Sequence, residues 1–149
     1  MALQFDRYAQ EGNLFLKNLS GALGHPEEIG RTGMILRAVL HTLRERISIA
    51  QSLNLLSQLP MFLKGIYVDN WKYNEKPLTY TELDDFTEEV KKHQAQYGEQ
   101  EYDWQKSTRE IIGIVLNELR IYLTKGEAES IVAELPKEIK EFFKESMYA

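Results

Sequence analysis

The chain repeats itself. Shifted forward by 76 positions, residues 32–67 fall on 108–143 without a gap. Thr32 meets Thr108, Val39-Leu40 meets Val115-Leu116, and Leu43-Arg44 meets Leu119-Arg120. Leu59-Pro60 meets Leu135-Pro136, and Lys64 meets Lys140. Apolar character survives where identity does not: Ile47 with Leu123, Leu55-Leu56 with Ile131-Val132, Leu63 with Ile139, Ile66-Tyr67 with Phe142-Phe143. A self-match of this length marks two copies of one supersecondary unit. Within it apolar residues recur at steps of three and four, which is a helical period, and no stretch alternates with period two. The expected fold is therefore all-α, two tandem copies of a three- to four-helix unit packed around one core. A single domain is expected over 1–149, with repeat 1 at 3–70, a linker at 71–80 and repeat 2 at 81–146.

Local signals divide each copy into helices. Phe5, Ala9, Gly12, Leu16, Leu19 and Leu23 form one amphipathic stripe, ended by Gly21, Gly24, His25 and Pro26. Pro26, Glu27 and Glu28 read as the first turn of the next helix, because proline has no amide to lose there and acids favour the positive end. That helix runs to about Arg46, with Ile35, Ala38, Val39, Thr42 and Leu43 inward. Ser48…Gln51 and Thr124…Glu127 then spell the same capping box at equivalent positions. Each opens a short helix, with Ser52, Leu55, Leu56 and Leu59 or Ala128, Ile131, Val132 and Leu135 on its inner face. Pro60 and Pro136 break the chain and start a last helix carrying Leu63, Ile66, Tyr67 or Ile139, Phe142, Phe143. Thr81 is the expected cap of a helix with the stripe Leu83, Phe86, Val90, Tyr97. A polar connection from Gly98 to Asp103 follows it.

Composition narrows the function. A chain of 149 residues is one ordinary domain, and with no cysteine it has neither disulfide nor thiolate chemistry. The net charge of -5, spread along the chain, works against a broad phosphate-binding surface. A membrane-spanning helix needs about 20 apolar residues, far more than the run at 111–116. The stretch Met1 to Arg7 lacks the basic and apolar regions of a secretory signal. The expectation is a cytoplasmic protein with no membrane and no nucleic-acid partner.

The runs "AVLHTLRERI" at 38–47, "LSQLPMFLKGIYVDNW" at 56–71 and "VLNELR…AESIVAELPKEIKEFF" at 115–143 resemble domain-of-unknown-function family 2267. This is a bacterial and archaeal family of two helical repeats, each marked by a leucine-proline step after a short amphipathic helix. The resemblance extends from about Phe5 to Phe143. The second copy departs from it, with Glu141 in place of glycine and no tryptophan following. The resemblance implies a fold; it brings no activity, cofactor or catalytic residue.

The remaining constellations are weak. A helix-turn-helix reader needs Arg, Lys, Asn or Gln on its second helix. Residues 49–59 contain no Arg or Lys and are apolar at six of eleven positions, and 125–135 carry Glu127, Glu129 and Glu134. His41 with Glu45, and His93 with Glu89, read as solvated pairs one turn apart rather than half a metal site. No phosphate loop or nucleophile elbow is present, and no pair among the 23 acids stands out. No catalytic residue, metal or cofactor is expected. The aromatic segment Tyr67, Trp71, Tyr73, Tyr80 is the candidate surface, since Tyr and Trp combine apolar area with a polar tip. The candidate binding residues are Lys64, Tyr67, Trp71 and Tyr73, and the competing role is to plug the seam between the repeats. The expected function is a non-catalytic interaction or regulatory module, binding an unknown protein partner or itself as a homodimer. The alternative is an enzyme or small-ligand binder with a pocket at the repeat junction.

Overall fold

The computed structural model describes residues 4–72, 76–96 and 105–148, and these are helical with no strand among them. The helices are α1 (Phe5–Ala22), α2 (Ile29–Arg46), α3 (Ile49–Gln58), α4 (Met61–Val68), α5 (Leu83–Gln96), α6 (Thr108–Leu119), α7 (Lys125–Val132) and α8 (Lys137–Tyr148). A 3-10 turn, Arg120–Tyr122, prolongs α6. Among the described residues no helix is long and apolar enough to cross a membrane.

The helix ends follow backbone hydrogen-bond demand. At the end of α1 the Gly24 amide donates to Gly21 and the His25 amide to Ser20, the paired closure that needs a left-handed residue. Gly24 supplies it, at φ +85°. Pro60 and Pro136 stand immediately before α4 and α8, and their carbonyls accept from Lys64 and Lys140. Thr124 and Glu127 close the expected capping box, and Ser107 with Glu110 forms another that the sequence reading passed over. Two helix starts differ from expectation. Helix α2 begins at Ile29, because the Glu28 amide is already held in a turn by the His25 carbonyl. Helix α5 begins at Leu83 with Glu82, not Thr81, offering the first carbonyl.

Helix α2 is the axis of the molecule. Thr32, Ile35, Leu36 and every residue from Ala38 to Leu43 are buried, with Arg44. A helix buried on all sides lies inside a bundle rather than on it. It packs against α1, α4, α5 and α6. The sequence expected one inner face; Leu36, Leu40, His41 and Arg44 form the others. Helix α1 packs through its second half, with Phe15, Leu19 and Leu23 buried, and Phe15 meets Phe62 and Tyr122 at ring distances of 5.7 and 5.9 Å. Phe5, expected in the stripe, is 71% exposed because it precedes that packed half.

Helices α3 and α7 run past one another. The Asn54 amide donates to the Ser130 hydroxyl at 3.4 Å, and the Glu134 carboxylate reaches the start of α3. There it accepts from the Ser48 amide at 3.0 Å and the Ser48 hydroxyl at 2.6 Å. Ser48 still caps α3 by accepting from the Gln51 amide. Gln51 does not close this box; a carboxylate binds the cap amide more strongly than a neutral amide oxygen, and Glu134 takes the position. Where α2, α3, α6, α7 and α8 meet, a void of about 20 Å³ remains, lined by leucines 40, 43, 55, 116 and 119, Ile131 and other apolar side chains. It has room for about one water, and without polar partners it stays dry.

Candidate functional site

The aromatic segment is built on the end of α4. Tyr67 is 0% exposed, its hydroxyl 2.6 Å from the Ser52 hydroxyl, and burial raises its phenol above the ordinary range. It offers no surface of its own. Trp71 is half-buried and stands edge-on to the Tyr67 ring, with centroids 5.6 Å apart. Its amide donates to the Val68 carbonyl, closing a turn in which Asn70 has φ 57°. Lys64 is half-buried on α4, three residues before Tyr67, and Lys72 is exposed. Tyr73 lies outside the described residues, as do Tyr97 and the connection from Gly98 to Asp103.

This segment is held by a polar stripe on α2 that the sequence reading missed. His41 Nε2 donates to the Ile66 carbonyl at 2.7 Å. Arg44 Nη1 donates to the carbonyls of Tyr67 at 2.6 Å and Asp69 at 2.7 Å. Arg37 pairs with the Asp69 carboxylate at 2.5 Å. A helix C-terminus exposes unpaired carbonyls and a partial negative charge, and these groups satisfy both. The Arg44 guanidinium also lies 5.9 Å from the Trp71 ring centroid, at cation–π distance. Backbone, cation and ring together fix the orientation of the indole.

A second polar seam joins α2 to α5 and to the segment before it. His93 Nε2 is 3.0 Å from Glu45 Oε1, so His93 pairs across helices rather than with Glu89 on its own. His93 is 8% exposed and His41 1%, with ring centroids 6.1 Å apart. The solvated one-turn pairs expected for both histidines are not formed, because α5 lies directly on this face of α2. Burial is the main cause lowering His41 to about 4, and Arg44, His93 and Arg37 push the same way. The Leu78 amide donates to the Glu45 carbonyl, and Arg46 Nε donates to the Tyr80 carbonyl beneath the Tyr80 ring. Leu78 and Tyr80, at the end of the expected linker, are thus pinned to the end of α2.

Two open grooves flank these seams. One of about 480 Å³ lies among Leu16, Gly30, Gly33, Met34, Arg37 and Ile66. The other, of about 560 Å³, has Phe142 and Leu83 in its lining and Glu110, Glu138, Glu141 and Glu145 along it. Three metal-type donors come within 4.8 Å of one another at His25, Glu27 and Glu28. The Glu28 carboxylate there already meets His25 at 3.3 Å and Arg31 at 3.1 Å, the pattern of a charged turn between helices.

Short helices joined through leucine-proline steps, with open grooves, place the chain in a class of compact all-helical domains. It belongs to the family described as "Uncharacterized conserved protein (DUF2267)", whose model matches residues 12–142. That description names no activity. No curated protein matches the chain.

Proposed function

We propose that the chain is a non-catalytic docking module, two tandem copies of a four-helix unit, whose working edge is the end of α4. Support for the duplication comes from the helix starts: Ile49 and Lys125, and Met61 and Lys137, share the 76-residue offset of the sequence match. The observation that carries the docking reading is the half-buried Trp71 indole, fixed between Tyr67 and Arg44 beside exposed Val68. An aromatic side chain held rigid before binding loses little entropy on contact, which is how interface anchors gain their strength. Lys64 and Trp71 form the contact and Tyr67 supports it from below; Tyr73, the fourth candidate, lies outside the described residues. The void at the helix junction, about 20 Å³ and apolar, argues against the small-ligand alternative, because a ligand site needs hundreds of Å³ and convergent polar groups.

The test is a photo-cross-linking residue at position 72, used to trap and identify the partner from native cytoplasm. Trp71→Ala should abolish the cross-linked product while shifting the melting temperature by only a few degrees. A product that persists in Trp71→Ala, or a variant that unfolds at ordinary temperature, makes the ring a structural plug instead.

A further inference from the structure

We propose that the buried His41–His93 contact is an acid-sensitive latch, which holds the end of α4 and its Trp71 against α2 at neutral pH and releases them on acidification. The consequence for binding rests on the docking reading above; the latch does not. Its parts come from four places in the chain. Helix α2 supplies His41, Arg37, Arg44 and Glu45; the turn after α4 supplies Asp69; α5 supplies His93 and Glu89; the segment before α5 supplies Tyr80. In the closed state the neutral His41 donates Nε2–H to the Ile66 carbonyl. Among the described carboxylates of this set, Glu45 meets His93, Asp69 meets Arg37 and Glu89 meets Lys92. A proton added to His41 is opposed first by burial and then by Arg44, His93 and Arg37.

The sign follows from the two states. A released His41 sits in water and titrates at the ordinary 6.5; the closed one titrates at about 4. Below 6.5 the released state binds the proton first, so each pH unit favours release about tenfold, until the closed state also protonates near 4. The whole window of 2.5 units is worth about 300-fold in the equilibrium. Above 6.5 the latch is fully closed. Release frees the Ile66 carbonyl and separates Arg44 from the turn that orients Trp71, which is how a drop in pH would reach the docking edge.

The experiment is amide hydrogen exchange on the full chain between pH 6.5 and 4, corrected for the intrinsic pH dependence of exchange. The reporters are the amides of Asp69 and Trp71, hydrogen-bonded to Gly65 and Val68. Wild-type protection should fall about tenfold per pH unit, and in His41→Gln, whose amide still donates to Ile66, it should stay flat. Protection independent of pH in the wild type, or the same fall in His41→Gln, overturns the latch. An imidazole titration by NMR covers the case in which the variant does not fold. A native His41 that titrates near 6.5 overturns the proposal, and one that titrates near 4 supports it. Since no partner enters either measurement, the latch and the docking reading fail separately.

Discussion

Ser52 and Tyr67 share a buried hydrogen bond of 2.6 Å between hydroxyls, and the residues 76 positions further on are Ala128 and Phe143. All four are buried. The first pair is polar, and the second is the same pair with both hydroxyls deleted. That substitution makes sense only as a unit, because a single deletion strands the other hydroxyl away from water. Tyr67→Phe and Ser52→Ala should each cost about 1–2 kcal/mol, while the double variant should lie within about 0.5 kcal/mol of the wild type. Urea unfolding of the four proteins as a double-mutant cycle measures the coupling, and additive single losses would contradict it. The aromatic half of the site was legible at this scale, since Tyr67 and Trp71 stand out in the sequence. Their supports were not. Arg37, His41 and Arg44 recur at one helical face, yet polar side chains ordinarily face water, and the buried His41 and Arg44 make sense once the carbonyls of Ile66, Tyr67 and Asp69 are in place.

The helices themselves carry a test of what sequence can reveal. Two capping boxes have the same spacing, and only the one at Thr124 closes on itself. At Ser48 the closing group is Glu134, 86 residues away. Gln51→Ala should therefore cost no more than a few tenths of a kcal/mol, and Glu134→Ala about 0.5–1 kcal/mol, the site being exposed. Thermal denaturation of the two variants decides the order, and a larger loss from Gln51→Ala would restore the local box. The contrast explains which features the sequence predicted well. Helix α3, the leucine-proline steps and the stripe of α5 depend on neighbours within a turn, so periodicity finds them. The burial of α2 on all sides, the choice of Glu45 over Glu89 by His93, and the idle start of α1 depend on which helix lies alongside. A one-face pattern carries no such information, and Leu36 and Leu40 read as surplus until α5 and α6 are placed against them.

At the scale of the whole molecule, the two halves of the chain do not each own a core. Phe15 of the first packs on Tyr122 of the second, Glu45 pairs with His93, Asn54 bonds Ser130, and Glu134 caps α3. The junction void has Leu40, Leu43 and Leu55 on one side and Leu116, Leu119 and Ile131 on the other. Helix α2 loses two of its buried flanks if α5 and α6 are removed. A chain of half this length buries only about 60% of its unfolded surface even when complete, so losing a shared interior leaves too little to offset chain entropy. Residues 1–74 and 75–149 made as separate chains should therefore each give a weakly helical circular-dichroism spectrum without a cooperative melt. Mixed in equal amounts, they should regain helix and a single transition whose midpoint rises with concentration, because association now supplies the missing faces. A cooperative, concentration-independent melt from either half alone would mean two domains in place of one. It would also remove the basis for the latch, since α5 of the second half packs on α2 and sets His93 beside His41, and the acid sensitivity needs that neighbour in place.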